Sequence, residues 1–367
     1  MNFIELGINE DLVKVLNNSG ITTPTPIQED SIILIKEGKD VIAQAQTGTG
    51  KTLAFLLPIF ENISKDINAV QALIVTPTRE LAIQITEEAM KLKKGKDINI
   101  LAAYGGKDIG SQLKKLKGNL HLIIATPGRL LDHLERKTVD LSKLKTLVLD
   151  EADQMLFMGF KNDVENIIKQ TSKEHQTLCF SATIDSNVKK LAYRYMKDPV
   201  EISIGKEEVT LSNIKQLVVE TTDRGKQDAL CAVLDQDNAF MAIIFCRTKR
   251  RADELEIVLY KRGYDCRKLH GDMVQSKREN VMKAFRKADF QYLIATDVAA
   301  RGLDISGVSH IYNYDIPENT EAYIHRIGRT GRAGDEGYTC LFVDPKDRRG
   351  LEEIEKAIKF KIPRRGL

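Results

Sequence analysis

A chain of 367 residues, 42% hydrophobic and 29% charged, reads as an ordinary globular protein with room for two domains. Its formal net charge of +3 is too small for whole-chain basicity to argue nucleic-acid binding, so any basic surface has to be local. No apolar run approaches the ~20 residues that cross a bilayer, and the Met1-Asn2-Phe3-Ile4-Glu5 start lacks a basic-then-apolar leader, so the expectation is a cytoplasmic protein with no membrane partner.

The first predicted strand, 41–44, runs into Ala45-Gln46-Thr47-Gly48-Thr49-Gly50-Lys51-Thr52, and a helical pattern follows over 51–63. Strand, glycine-rich loop and helix at this spacing form a phosphate-binding P-loop. Gly48 and Gly50 let the backbone turn so that its N–H groups converge on one anion, and the helix directs its positive end there. Lys51 is placed to reach the β- and γ-phosphates, and the Thr52 hydroxyl to ligate Mg²⁺. Ala45 stands where the general pattern has glycine, which a residue with negative φ tolerates. By itself the loop points to a nucleoside triphosphate and no further.

Predicted strands 72–76, 99–103, 120–125, 146–149 and 177–180 alternate with predicted helices 79–93, 109–117, 128–135, 163–170 and 186–195. Short apolar strands separated by helices imply a mostly parallel sheet covered on both faces, with the loops after the strands along one edge. A polar stretch, 205–213, breaks the pattern and reads as a linker. A second alternation follows, with strands 214–220, 242–245, 266–269, 292–295, 310–314 and 338–342 and helices 226–234, 249–261, 277–285, 320–327 and 347–358. The expected organisation is one α/β domain over 1–204 and a second over 214–367, which has no P-loop of its own.

Asp150-Glu151-Ala152-Asp153 ends an apolar strand. An acid there, downstream of a P-loop, is placed to hold the metal, so Asp150 is the expected Mg²⁺ ligand beside Thr52. Glu151 is the candidate to orient and deprotonate an attacking water. In the second half Arg326, Arg329 and Arg332 recur every third residue, suited to presentation from a helix and the turn after it. A guanidinium delivered there can stabilise charge on a departing γ-phosphate.

In order along the chain, these motifs resemble the core of the DEAD-box ATP-dependent RNA helicases, two RecA-like domains in tandem. The resemblance runs from Phe3 to about Gly334. Phe3, Gly20, Pro24, Pro26, Ile27 and Gln28 resemble the Q motif, which implies that Gln28 reads the adenine edge while Phe3 stacks on the base; an amide suits adenine because it both donates and accepts. Pro77-Thr78-Arg79 begins a stretch resembling motif Ia, Gly105-Gly106 resembles the glycine doublet, and Thr126-Pro127-Gly128-Arg129 resembles motif Ib. These are the implied contacts to RNA phosphates, which hold a strand without reading its sequence.

Ser181-Ala182-Thr183 resembles motif III, implying that Ser181 and Thr183 couple Asp153 and His325 to RNA. Gln275 and Arg278 match a Q-x-x-R element that contacts RNA phosphate. The stretch from Ala295 to Asp304 resembles motif V, with Thr296 facing RNA and Gly302 and Asp304 near the ribose of the nucleotide. Arg329 and Arg332 match the positions that reach the γ-phosphate. The implied activity is RNA-dependent hydrolysis of ATP with Mg²⁺, coupled to local opening of short RNA duplexes or remodelling of RNA–protein complexes, with little sequence preference. A monomer with ribosomal or RNA-decay proteins as partners is the accompanying expectation. The competing readings are an RNA clamp in which unwinding is incidental, and a DNA helicase or translocase.

Other features carry no site. Cys179, Cys231, Cys246, Cys266 and Cys340 form no C-x-x-C pair and are odd in number, which reads as buried thiols in a reducing compartment. Lys249-Arg250-Arg251 reads equally as an RNA contact or a solvated helix face.

Overall fold

A computed structural model describes residues 1–45, 48–106, 119–203, 214–237, 239–300, 308–331 and 337–366. The chain divides into two compact units, Met1–Lys206 and Glu207–Leu367. The predicted helix 109–117 and the predicted linker 205–213 lie outside the described residues.

The described residues of unit 1 form seven strands: β1 (Val41–Gln44), β2 (Ala72–Val75), β3 (Ile100–Ala103), β4 (Leu122–Ala125), β5 (Thr146–Asp150), β6 (Gln176–Ser181) and β7 (Val200–Ser203). They lie in the order β3-β4-β2-β5-β6-β1-β7, every pair parallel. Alternate residues of one strand enter different cores: Ala72 and Ile74 pack on one face of the sheet, Leu73 and Val75 on the other. Both faces are covered, so the strands read as unbroken apolar runs. The ring of Phe55, from the helix Lys51–Asn62, meets Phe180 of β6 edge-on at 5.2 Å, fixing that helix against the sheet.

Four described elements of unit 1 fall outside the predicted strands and helices, one of them the short helix Ala152–Phe157 that follows Asp150-Glu151. The helix Glu10–Asn18 is capped by Asn9, whose side chain accepts from Leu12 N at 2.9 Å, and buries Leu12 and Leu16. The helix Pro26–Lys36 starts on a proline, as a first helical turn permits. The edge strand β7 pairs only with β1 and alternates buried and exposed residues, so four residues carry too little apolar signal to stand out.

Unit 2 holds β8 (Ile214–Glu220), β9 (Ala242–Cys246), β10 (Cys266–Leu269), β11 (Tyr292–Thr296), β12 (His310–Asn313) and β13 (Gly337–Val343). Their order is β10-β11-β9-β12-β13-β8, again parallel throughout. The last residues lie along β8: Val218 N donates to Pro363 O at 2.9 Å and Arg365 N to Val218 O at 2.8 Å. All five cysteines are buried and unpaired. No helix among the described residues is long and apolar enough to cross a membrane.

Candidate functional site

In an all-parallel sheet the loops that leave the carboxyl ends of the strands share one edge. The strand order of unit 1 sorts the candidate residues along that edge into two groups. β5, β6 and β1 are neighbours and lead into Asp150–Asp153, Ser181–Thr183 and the P-loop. β3, β4 and β2 are neighbours and lead into Gly105-Gly106, Thr126–Arg129 and Pro77–Arg79. Register brings the ends level: Gln44 lies opposite Ser181, Asp150 opposite Phe180, and Val75 opposite both Ala125 and Leu149.

Gly50 caps the helix Lys51–Asn62 with a φ of 92°, a conformation costly for any residue with a side chain. A methyl group there would lie 2.5 Å from Gln28 Nε2 and 2.8 Å from Thr25 Oγ1. Gln28 is 2% exposed; its Nε2 donates to Gly50 O at 3.0 Å and its Oε1 accepts from Thr25 N at 3.0 Å. Among the described residues each end of the amide therefore keeps one unused hydrogen-bonding position, one donor and one acceptor. Lys51 is buried at 7% exposure, and its Nζ has no hydrogen-bond partner among the described residues. A buried ammonium in that condition is built to receive an anion. Ala45 is buried, and its N–H donates to Ser181 O at 3.0 Å. Thr52 is half-buried, and Gly48 is exposed. Gln46 and Thr47 lie outside the described residues.

Asp150 ends β5 at 3% exposure and accepts from Glu151 N at 3.0 Å. Burial pushes its carboxyl above the usual range; the nearby Lys51 ammonium and the Glu151 N–H pull it down, and Asp153 raises it. Such a carboxylate is under-compensated, and with the Thr52 hydroxyl it offers the hard oxygen donors that Mg²⁺ takes. Glu151 is buried and has a φ of 52°, left-handed backbone that a non-glycine residue adopts at a cost.

Asp153 is tied to the end of β6. Its N–H donates to Ser181 Oγ at 3.2 Å, and its Oδ2 accepts from both Thr183 N at 3.0 Å and Thr183 Oγ1 at 2.9 Å. The structure thus joins Asp153, Ser181 and Thr183 directly.

On the other half of the edge, the Arg79 guanidinium lies against Gly105, where an added methyl would sit 2.8 Å from its Nη2. Thr78 caps the helix Arg79–Leu92, accepting from Leu81 N at 3.3 Å. Thr126 N donates to Ala103 O at 3.1 Å, and the helix Pro127–Glu135 starts beside it with Gly128 in open space and Arg129 3.9 Å from Asp132. Arg79, Gly105, Thr126 and Arg129 are half-buried, and Gly106 and Gly128 are exposed.

Phe3 has no exposed ring face: it is 1% exposed and belongs to the apolar core of unit 1. Stacking on a base would require the N-terminal segment to move.

In unit 2 two of the three evenly spaced arginines, Arg326 and Arg329, are described, and both are buried. Arg326 is not presented to solvent. Its Nε and Nη2 each bond Asp297 at 2.7 Å, its Nη1 bonds Asn313 Oδ1 at 3.0 Å and Asp315 O at 2.7 Å, and its guanidinium lies 4.9 Å from the Phe245 ring centre. The even spacing hid this, because a helix sends successive i, i+3 positions along one face that here turns inward. Arg329 is also buried, and its N–H donates to Arg326 O at 3.2 Å. With His325 and Arg326 it lines a small recess beside Asp297. Thr296 ends β11 at 6% exposure; Gln275 and Arg278, in the first turn of the helix Gln275–Arg286, are each 8% exposed. Gly302, Asp304 and Arg332 lie outside the described residues. Lys249, Arg250 and Arg251 each face an acid, Asp272, Glu254 and Asp223 respectively.

Residues 25–191 match the DEAD/DEAH box helicase family, and residues 225–334 match the helicase conserved C-terminal domain. The ATP-dependent RNA helicase CshA of Limosilactobacillus reuteri is 49% identical over 362 residues, 99% of this chain and 73% of the relative. The chain belongs to the DEAD-box family of ATP-dependent RNA helicases. The DEAD-box ATP-dependent RNA helicase CshA of Bacillus subtilis (strain 168) is 47% identical over 99% of this chain and 74% of its own length. Among solved DEAD-box structures, S. cerevisiae Dbp5 bound to RNA and ADP BeF3 matches with a TM-score of 0.90 at 33% identity, covering 99% of this chain and 95% of that one. Mss116p bound to ssRNA and AMP-PNP matches with a TM-score of 0.87 at 33% identity, over 99% and 78% of the two chains. In this DEAD-box chain the four letters of the family name are Asp150-Glu151-Ala152-Asp153. Thr25, against which both Gln28 and Gly50 pack, was not singled out from the sequence; its place directly before the proline that opens a helix is the signal that marks it.

Proposed function

We propose that this DEAD-box chain hydrolyses ATP when its two units close on ATP and on one RNA strand together, and that the bend imposed on that strand opens a short duplex. The observation that carries the reading is the sorting of the sheet edge in unit 1: phosphate-loop and acidic residues on β1, β6 and β5, backbone-binding residues on β2, β4 and β3, with the Asp153–Thr183 bond within the first group.

On this reading Gln28 offers its spare donor and acceptor to the adenine edge, and Phe3 stays in the core under the N-terminal segment. The Ala45–Thr52 backbone, Gln46 and Thr47 included, wraps the phosphates, and the orphaned Lys51 ammonium reaches the β- and γ-phosphates. Thr52 and Asp150 would hold Mg²⁺, which neutralises phosphate charge when bound. Glu151 orients the attacking water and accepts its proton. Arg329 and Arg332 reach the γ-phosphate from unit 2 and stabilise the charge that builds as it leaves, while Gly302 and Asp304 approach the ribose.

RNA contacts come from Pro77, Thr78, Arg79, Gly105, Gly106, Thr126, Pro127, Gly128 and Arg129 in unit 1 and from Arg278 and Thr296 in unit 2. Asp153, Ser181 and Thr183 pass the state of one ligand to the other with His325. Each ligand favours closure, so each raises affinity for the other by the same factor. Residues 1–204 and 214–367 act as the two moving bodies about the linker 205–213. A monomer working in the cytoplasm beside ribosomal or RNA-decay proteins completes the proposal.

The test is phosphate release and strand displacement on matched RNA and DNA duplexes. RNA-stimulated turnover in the full chain, abolished in Glu151→Gln with ATP and RNA both retained, is the expected result. Turnover indifferent to RNA, or fast RNA release from Glu151→Gln, overturns the proposal. RNA retention without strand displacement reduces it to a clamp.

A further inference from the structure

The carboxyl edge of the second sheet carries a buried ionic centre that none of the motifs includes. Asp315 follows β12 and is 5% exposed. Its polar groups reach three segments: the end of β9 with the residues after it, Lys226, and Arg326. Its N–H donates to Phe245 O at the end of β9, 3.2 Å away. Its carboxylate Oδ2 accepts from Arg247 N at 2.9 Å and pairs with Arg251 Nε at 3.0 Å, and its Oδ1 lies 3.8 Å from Lys226 Nζ. Its carbonyl oxygen accepts from Arg326 Nη1 at 2.7 Å.

Lys226 is 2% exposed, and among the described residues its ion-pair partners are Asp315 and Asp347. An ammonium buried that deeply is tolerable only while its carboxylates stay in place. The carboxylate of Asp315 therefore locks the loop after β9, and its peptide locks Arg326. Arg326 is in turn bonded to Asp297 at the end of β11, and Arg329 follows one turn later with its N–H on Arg326 O.

We propose that Asp315 is a positioning residue for the reaction: it holds the arginine turn 326–329 in register with the loops after β9 and β11. It touches neither ligand and acts through Arg326 on Arg329. The proposal rests on the reading that Arg329 meets the γ-phosphate. A centre made of buried charges suits this task better than apolar packing, because charge pairs specify one partner and one distance where apolar contacts slide.

The experiment is steady-state RNA-stimulated ATPase of the full chain with Asp315→Asn and Asp315→Glu. The asparagine keeps the shape and the peptide but removes the charge. A displacement of about 1 Å at a stabilising group costs up to ~100-fold, so the expected kcat is at least roughly tenfold lower, with KM for ATP within about twofold, because the P-loop is on unit 1. Asp315→Glu restores the charge and should recover most of the loss. Amide exchange at Arg326 and Arg329 should quicken in Asp315→Asn and not in Asp315→Glu.

Should Asp315→Asn fail to fold, Arg251→Gln serves: that side chain is 28% exposed and its loss removes one partner of the same carboxylate. It should lower kcat about threefold with KM unchanged. A folded Asp315→Asn, or an Arg251→Gln, with the parent kcat overturns the proposal. A parent chain with no RNA stimulation instead overturns the helicase reading beneath it, so the two failures are told apart by the parent control.

Discussion

Replacing Gly50 with alanine puts a methyl group 2.5 Å from the Gln28 amide nitrogen. Two costs follow. The backbone at φ 92° is left-handed territory that carries roughly 1–3 kcal/mol of strain with a side chain present. Gln28 cannot step aside freely, because it is buried and bonded to both Thr25 N and Gly50 O, and each bond is worth about 0.5–1.5 kcal/mol net. Together these reach about 3 kcal/mol, or ~100-fold in an equilibrium constant. The loop relieves the strain by leaving its phosphate-ready shape, so the apparent Kd for ATP should rise by about that factor while the fold survives. Calorimetric titration of ATP into the full chain measures it, with circular dichroism melting as the check on folding. Gln28→Ala combined with Gly50→Ala frees the space the methyl needs, so the pair should be less damaging than the sum of the singles. ATP binding by Gly50→Ala within about threefold of the parent would refute the claim that Gln28 and the loop form one packed unit.

The other predictions are smaller in scope. Lys51→Ala should abolish phosphate release; ordinary turnover would remove the P-loop from the mechanism. Arg326→Ala strips a buried bidentate partner from Asp297 and should cost about 3–5 kcal/mol, a fall in melting temperature of roughly 10 °C, whereas Arg326→Lys should not rescue it because one ammonium cannot make four planar contacts. Thr183→Val deletes the hydroxyl bond to Asp153 but keeps the backbone one, so ATP binding should persist and strand displacement should fall, at about 1 kcal/mol of stability. Burial, then repulsion from Arg129, holds the His133 imidazole below its ordinary pKa, so the unfolded chain takes up a proton first; stability is full above about pH 6.5 and falls as pH drops through it toward the folded value. His133→Gln should lessen that fall in urea midpoints between about pH 7 and 5, and an unchanged slope would count against it.

Chemistry that depends on neighbours in sequence was legible without coordinates. A P-loop needs strand, glycines, lysine and hydroxyl within a dozen residues, and Asp150 and Glu151 needed only an apolar strand before them. Parallel strands announced themselves because a sheet buried on both faces leaves no polar positions to break the run, as in Ala72–Val75. The edge strand β7 and the six-residue helix Ala152–Phe157 escaped because so few residues carry little periodic signal; the helix Glu10–Asn18 was legible in principle, since Leu12 and Leu16 stand four apart on one buried face.

What only the tertiary structure decided is which residues face which. Strand order is set by long-range pairing, so nothing in the sequence places β6 between β5 and β1, and hence Ser181 and Thr183 beside Asp153. Arg326 and Arg329 stand three residues apart in one motif, yet Arg326 is consumed by Asp297, Asn313 and Asp315, partners supplied by two other strands. Gln28 and Gly50 are 22 residues apart and share a hydrogen bond. A residue's type states what it can bond; the path of the chain through space determines which partner comes within 3 Å, and burial then makes that choice costly to undo.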